Sequence, residues 1–235
     1  MRRLDTLGFI YSRRRPRLIS VRAAQMGDRV VHAAAKAGIG EDGLVALRRA
    51  YEVAMVAREE GPDALSDDQN PALLHPGRTV LILLSDMMEA DPRVLAIGAL
   101  TESREVTLRV TRGVAIDALQ SFEDDGEAQD WWRVLPSPNW TASSGDAAED
   151  NQRFVERLVT APAPLQRVVL AEALDQLRHA HLWESAEARV RAAELAVRVL
   201  HPLADRVHPV MARRYAWWTS RVGRGLLTPL SRDPT

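Results

Sequence analysis

Histidine and carboxylate side chains are the residues of this chain best suited to chemistry, and several gather in RVVLAEALDQLRHA, residues 167–180. The apolar spacing here predicts a helix over 165–183, on which Leu170, Leu174 and Leu177 share one face. Three polar side chains share the opposite face: Glu172, Asp175 and His179. Imidazole nitrogens and carboxylate oxygens suit a borderline-to-hard divalent cation. The polar face of this helix is either the floor of a cleft or ordinary solvated surface.

A second candidate is His75, which stands directly before Pro76. Proline suits the first turn of a helix, and the run RTVLILLSDMM that follows predicts a helix that is apolar on all sides and central to the core. His75 is then either a functional residue or only a residue at a helix start. His179 and His181 point to different helix faces, so they do not form a chelating pair.

Helical signals recur along the chain and predict an all-α fold. Asp91 has the side chain of an N-cap and Pro92 suits the first helical position, so another helix is expected from there through Leu100. Four more helices are expected over 28–37, 44–60, 185–200 and about 210–227. A connector bounded by Pro202 and Pro209 is expected before the last helix.

The predicted organisation is one helical domain, residues 41–228, after a basic arm with a short helix, 1–40, and before a tail, 229–235. Residues 121–150 are acidic and rich in Pro, Ser and Gly, which predicts a long excursion or flexible segment inside the domain. Apolar residues make up 46% of the chain and charged residues 27%, a globular composition.

The chain has no cysteine, which excludes disulfides and thiolate metal sites. No apolar run approaches the length of a membrane span, so we expect no membrane partner. A cytoplasmic location is the expectation, and an arginine-rich organelle presequence is the alternative.

Charge is spread unevenly, although the net charge is only −1. Residues 1–35 contain eight arginines, whereas residues 116–150 contain nine acidic side chains. The two segments could pair with each other, within one chain or between two. The rival interpretation is that the basic arm binds nucleic acid.

Three stretches together resemble one family, the HD-domain hydrolases of the bifunctional (p)ppGpp synthetase/hydrolases (Rel/Spo homologues) and of the small alarmone hydrolases. His75-Pro76, an apolar helix and VLAIGALTES resemble the first family motif, which ends like AALLHDTVED. RVVLAEALDQLRHA resembles the family's VIKLADRLHNMRT, and AAELAVRVLHPLADRV (192–207) resembles its run ending in APLAxRL. The resemblance covers roughly residues 44–227 and implies an HD-domain-like helical bundle of about eight helices.

The resemblance implies a divalent cation, typically manganese, held by histidines and aspartates. Matched residue by residue, this chain has five residues at those positions: Arg58, His75, Thr101, Glu102 and Glu172. Only His75 is retained. Glu105 matches half of the family's water-positioning pair, and Val106 replaces the other half. LADRV at 203–207 copies the ligand motif, but Asp205 matches the connector rather than the ligand helix.

The replacements weaken a metal site. Each change from Asp to Glu moves the carboxylate by about 1.5 Å, while ligand distances tolerate only ~0.2 Å. Arg58 is permanently cationic and would stand where the metal must be. The expectation is that Arg58 takes the cation's place and pairs with Glu102 and Glu172 beside His75. The alternative is that Arg58, near the end of its helix, simply reaches solvent. The expected pocket residues are Arg58, Thr101, Asp175 and Arg178.

The resemblance and these losses together predict a divergent, catalytically inactive HD-domain protein without a cofactor. It would act by binding a guanosine alarmone-like nucleotide, a protein partner or a second copy of itself. The alternative is an active (p)ppGpp 3'-pyrophosphohydrolase-like enzyme, in which His75, Glu102 and Glu172 hold Mn²⁺ and Glu105 positions water. A nucleic-acid-binding module that uses the basic arm is the third interpretation.

Overall fold

The computed structural model of the protein describes residues 20–60, 71–101, 115–120, 122, 126–138, 140, 147–183 and 185–227. Side chains are described for all of these except residues 57–60, 71–72, 147–148 and 227. Every regular element in these ranges is helical, so the all-α prediction is confirmed. None of the helices described combines the length and the apolarity needed to cross a membrane.

The α-helices of the described residues follow one another along the chain as α1 to α11. Their bounds are α1 Val21–Lys36, α2 Glu41–Glu60, α3 His75–Asp86, α4 Pro92–Ala99, α5 Glu127–Val134, α6 Ala147–Thr160, α7 Ala163–His179, α8 Ala186–Leu195, α9 His201–Val207, α10 Pro209–Trp218 and α11 Arg224–Leu227. Two π-helical turns, Ala196–Leu200 and Thr219–Gly223, join α8 to α9 and α10 to α11.

Helix α3 lies at the centre of the bundle, as its apolar sequence predicted. It contacts α1, α2, α4 and α7, and buried side chains occur all round it, from His75 to Asp86. A helix that is surrounded in this way buries its polar residues too, so they need partners on the neighbouring helices. Helix α7 supplies the partner of His75, and α10 supplies the partner of Asp86.

The helix starts expected at prolines are confirmed. Helix α3 begins at His75 with Pro76 in its first turn, and α4 begins at Pro92. The Asp91 side chain accepts a hydrogen bond from the Arg93 backbone N–H at 2.9 Å. Burial raises the pKa of Asp91, but the hydrogen bonds from Arg93 outweigh it and lower that pKa overall. The prediction that Asp91 is the N-cap of α4 is therefore confirmed.

Helix α1 begins earlier than the sequence indicated, at Val21 instead of Asp28. The Ser20 side chain caps it by accepting a hydrogen bond from the Ala23 N–H at 3.1 Å. The Tyr51 hydroxyl of α2 donates to the Ala23 carbonyl oxygen at 2.9 Å, and α1 contacts both α2 and α3. The start at Val21 therefore has a local cause, the Ser20 cap, and a tertiary one, the packing of α1 against α2 and α3.

Pro202 does not end a helix, contrary to the predicted connector. The chain passes from α8 through the π-helical turn Ala196–Leu200 into α9, which has Pro202 in its first turn. Proline lacks an N–H and clashes with the carbonyl group four residues before it. A π turn places one extra residue there, which lets the helix continue to Val207.

Part of the acidic segment 121–150 is an ordered helix. Helix α5 occupies Glu127–Val134 and contacts α4. Trp132 is only 2% exposed, and its indole Nε1–H donates to the Leu100 carbonyl oxygen at 3.1 Å. Residues 121, 123–125, 139 and 141–146 of this segment, like the basic arm 1–19, lie outside the described residues.

Candidate functional site

His75 and Asp175 form the centre of the candidate site, at the contact between α3 and α7. The His75 side chain is buried at the first position of α3, and Asp175, near the end of α7, is 0% exposed. His75 Nδ1 lies 2.7 Å from Asp175 Oδ2. Two helices far apart in sequence therefore bring an imidazole and a carboxylate into direct contact inside the core.

Arg78, one turn after His75 on α3, binds the same carboxylate. Its Nε donates to Asp175 Oδ1 at 2.8 Å and its Nη2 donates to Oδ2 at 2.8 Å. Burial alone would raise the pKa of Asp175, but the hydrogen bonds and charges of His75 and Arg78 hold that pKa well below its usual range. Asp175 is therefore ionised, and since a carboxylate only accepts, His75 Nδ1 carries the proton of their hydrogen bond.

Glu172 faces the other ring nitrogen of His75. Its Oε1 lies 3.7 Å from His75 Nε2, and the Thr79 hydroxyl lies 3.5 Å from the same atom. Glu172 precedes Asp175 by three residues, which places both carboxylates on the same side of α7. The imidazole is thus held between two carboxylates, one in hydrogen-bonding contact and one slightly farther away.

Tyr215 of α10 packs against α7 near Glu172. It is fully buried, and its hydroxyl donates to the Leu170 carbonyl oxygen at 2.9 Å. Burial and the negative charge of Glu172 raise the pKa of Tyr215 well above its ordinary value. The phenol is consequently a fixed neutral donor at neutral pH, and it has no freedom to act as a base.

The structure excludes one of the two interpretations of the polar face of α7. Glu172 is 7% exposed and Asp175 is buried completely, so the solvated-surface interpretation is wrong for both. His179 is half-buried, and its Nδ1 bonds to the Asp175 carbonyl oxygen at 2.8 Å. Among the described residues, the two carboxylates lie at the packed contact between α3 and α7.

Of the other residues matched to the family's metal site, Thr101 is the one whose side chain the structure describes. Thr101 is buried after α4, and its hydroxyl donates to the Gly98 carbonyl oxygen at 3.2 Å. The backbone at Arg58 belongs to α2, but its side chain is outside what the structure describes, as are Glu102 and Glu105 altogether. The predicted pairing of Arg58 with Glu102 and Glu172 therefore stays a prediction.

Two further residues lie apart from His75. Asp205, in the misleading LADRV sequence, is exposed and lies 3.8 Å from His201 on its own helix. Arg178, one turn beyond Asp175, is exposed and lines a separate groove. Asp205 thus lies on a helix other than that of Glu172, and Arg178 contributes to a different surface.

Sequence reasoning missed Arg78, the cation that neutralises Asp175. A usable signal was its spacing, because Arg78 follows His75 by three residues and so lies on the same side of α3. Glu172 and Asp175 have the same spacing on α7. This spacing places each pair on one side of its helix, but it does not determine that the two pairs meet.

The described residues supply two donors for a cation, His75 Nε2 and Glu172 Oε1. Among all residues that the structure describes, no three His, Cys, Asp or Glu side chains are arranged to hold a metal ion. Catalytic zinc sites, for comparison, take three protein ligands. The described part of the site alone therefore does not fit a resident metal, and the third matched ligand, Glu102, is outside it.

Acidification should weaken the fold through Asp175. Its pKa is lower in the folded protein than its unfolded value of about 3.9. Its contribution to the free energy of unfolding is therefore present above about pH 4 and is lost as the pH falls towards the folded pKa. Urea unfolding at a series of pH values from 7 to 3 measures this slope. Asp175→Asn should flatten it, and an unchanged slope in that variant would contradict the assignment.

Comparisons with protein-family models, with curated protein sequences and with solved structures give no significant match to this chain.

Proposed function

We propose that this chain is a divergent HD-type helical protein, related to the (p)ppGpp hydrolases, that binds a nucleotide or a protein partner without hydrolysing it. We propose a cytoplasmic location. The protein partner in this proposal is either a different protein or a second copy of this chain. The proposal rests on the family-matched motifs of the sequence and on one structural observation.

That observation is the internal ion-pair network around Asp175. Arg78 and His75 both bind this buried carboxylate, so its charge is balanced by side chains of the same chain. A guanidinium is permanently charged and, unlike a metal ion, brings no bound water that could attack a phosphate. The network supports a site whose polar groups serve structure and recognition instead of hydrolysis.

A second candidate function, a manganese-dependent phosphohydrolase, is favoured by the orientation of His75. Metal-binding histidines commonly donate one ring N–H to a carboxylate, which directs the other nitrogen at the ion. Asp175 holds Nδ1 in this way, and Nε2 faces Glu172 at 3.7 Å. In this alternative, Glu102 completes the ligand set and Glu105 positions water, as the resemblance implies.

The two functions predict opposite results with (p)ppGpp and Mn²⁺. For the purified full chain we expect no pyrophosphate release above the rate without protein, and no stoichiometric manganese, zinc or iron by elemental analysis. Calorimetry with the same nucleotide measures binding separately from turnover. A negative assay together with detectable binding supports a nucleotide-binding protein.

Glu172→Gln is the matched variant for this assay, because it removes the carboxylate charge and keeps the side-chain volume. Release of pyrophosphate that requires Mn²⁺ in the wild type and disappears in Glu172→Gln would replace the proposal by the phosphohydrolase. Release that persists in Glu172→Gln indicates a contaminating enzyme, and the assay is then repeated after further purification.

A further inference from the structure

A groove between α7 and α10 combines positive charge with aromatic surface. Its volume is about 490 Å³, and three guanidinium groups and two indoles line it: Arg178, Arg213, Arg214, Trp217 and Trp218. Leu174 and Val210 add aliphatic surface. Sites for small molecules measure roughly 300–1,000 Å³ and combine apolar walls with a few polar groups. The groove matches this description in both size and lining.

The three arginines of the groove are not equivalent. Arg214 binds Asp86 at the end of α3, with its Nη2 2.9 Å from Asp86 Oδ1. Arg178 and Arg213 are exposed, and neither makes an ion pair with another residue in the described part of the chain. Two guanidinium groups thus contribute positive charge to the groove, while the third holds the groove wall to α3.

The two neighbouring tryptophans also differ. Trp218 is buried, and its Nε1–H donates to the Leu177 carbonyl oxygen at 2.9 Å. Trp217 is 61% exposed and presents its indole at the groove. Aromatic rings and guanidinium planes stack on planar ligand rings, and guanidinium forks bind phosphate oxygens at two points. The Trp217 indole and the two arginines therefore offer both kinds of contact in one cavity.

We propose that this groove binds a small organic phosphate that carries a planar ring. The ring stacks on Trp217, and the phosphate oxygens accept hydrogen bonds from Arg178 and Arg213. This inference rests on the binding role proposed above and gives it a site apart from the His75 network. The groove and that network share two helices. Arg178 follows Asp175 by one turn of α7, and Arg214 forms an ion pair with Asp86 of α3.

The experiment is calorimetry of the full chain with ATP, inorganic pyrophosphate and adenosine as probes, without metal. ATP should bind more tightly than either of the other two, because only ATP has both a ring and phosphates. Arg213→Ala and Trp217→Ala should each weaken ATP binding by about tenfold, as expected for one charge-assisted hydrogen bond or one stacking contact. Trp217→Ala should leave pyrophosphate binding unchanged.

Arg157→Ala is the matched control. Arg157 is an exposed arginine on α6 and does not line the groove, so this variant removes one positive charge elsewhere and should bind ATP like the wild type. A thermal melt of every variant verifies folding. Equal affinity of Arg213→Ala and Arg157→Ala would overturn the proposal, and so would equal affinity of the wild type for ATP and pyrophosphate.

An acidic peptide that contains tyrosine tests the competing class of ligand. If it binds more tightly than ATP and Arg213→Ala abolishes its binding, the groove is a peptide site and the proposal is wrong. Turnover of (p)ppGpp in the same samples tests the non-hydrolytic function independently. If (p)ppGpp is hydrolysed and ATP still binds in the groove, only the proposed non-hydrolytic function is wrong. If (p)ppGpp is not hydrolysed and ATP does not bind in the groove, only the proposed ligand site is wrong.

Discussion

Asp175→Ala should lower the free energy of unfolding by about 3–5 kcal/mol, the usual cost of breaking a buried ion pair by removing one partner. The substitution deletes a completely buried carboxylate that accepts hydrogen bonds from both His75 and Arg78. The Arg78 side chain is only 22% exposed, so water replaces its lost partner incompletely. Urea unfolding at pH 7, followed by circular dichroism, measures the change.

Asp28→Ala is the matched control for this prediction. Asp28 pairs with Arg48 at 2.9 Å, but both side chains are exposed, and pairs of this kind contribute about 0–1 kcal/mol. Asp175→Ala should therefore be several times more destabilising than Asp28→Ala. If the two variants unfold at the same urea concentration, Asp175 is not the centre of a buried network, and the structural basis of the proposed function is lost.

The starts of α3 and α4 could be predicted from the sequence because their signals are local. Pro76 and Pro92 suit the first turn of a helix, and the Asp91 side chain caps the N–H of a residue two positions later. The all-apolar run after Pro76 also predicted that α3 is central. Such features depend on a few neighbouring residues, so no knowledge of the tertiary fold is needed to see them.

The elements that differ from the prediction depend on contacts distant in sequence. The first turns of α1 pack against Tyr51, 28 residues beyond Ala23. The helix through Pro202 needs a π turn, which apolar spacing does not reveal. The local rules placed the start of α1 too late, at Asp28, and predicted a helix end at Pro202 where the helix continues to Val207.

The sequence indicates which residue types form the candidate site, but it does not indicate which of these residues contact one another. Glu172 and Asp175 could be assigned to one face of a helix, and His75 to the start of another. Which of them meet depends on how α3 and α7 are aligned, and no local pattern determines that alignment. Arg78 was overlooked for the same reason, since its role appears only when Asp175 lies opposite it.

The acidic segment illustrates how one buried side chain can outweigh composition. The residues around α5 are polar, but Trp132 inserts into the core and bonds to Leu100 at the end of α4. Trp132→Ala should therefore lower the free energy of unfolding by about 3–5 kcal/mol, as large-to-small changes of buried tryptophans do. Trp132→Phe keeps most of the packing and should cost about 1 kcal/mol for the lost hydrogen bond plus a smaller packing loss.

Trp131→Ala provides the comparison within the same helix. Trp131 is half-buried, and the Arg93 guanidinium lies 5.2 Å from its ring centroid. A partly exposed cation–π contact contributes about 0.5–1 kcal/mol, so this variant should be clearly milder than Trp132→Ala. Urea unfolding of the three variants, with the wild type beside them, measures the order. If Trp132→Ala unfolds like the wild type, α5 is only loosely attached, as expected if 121–150 is a flexible segment.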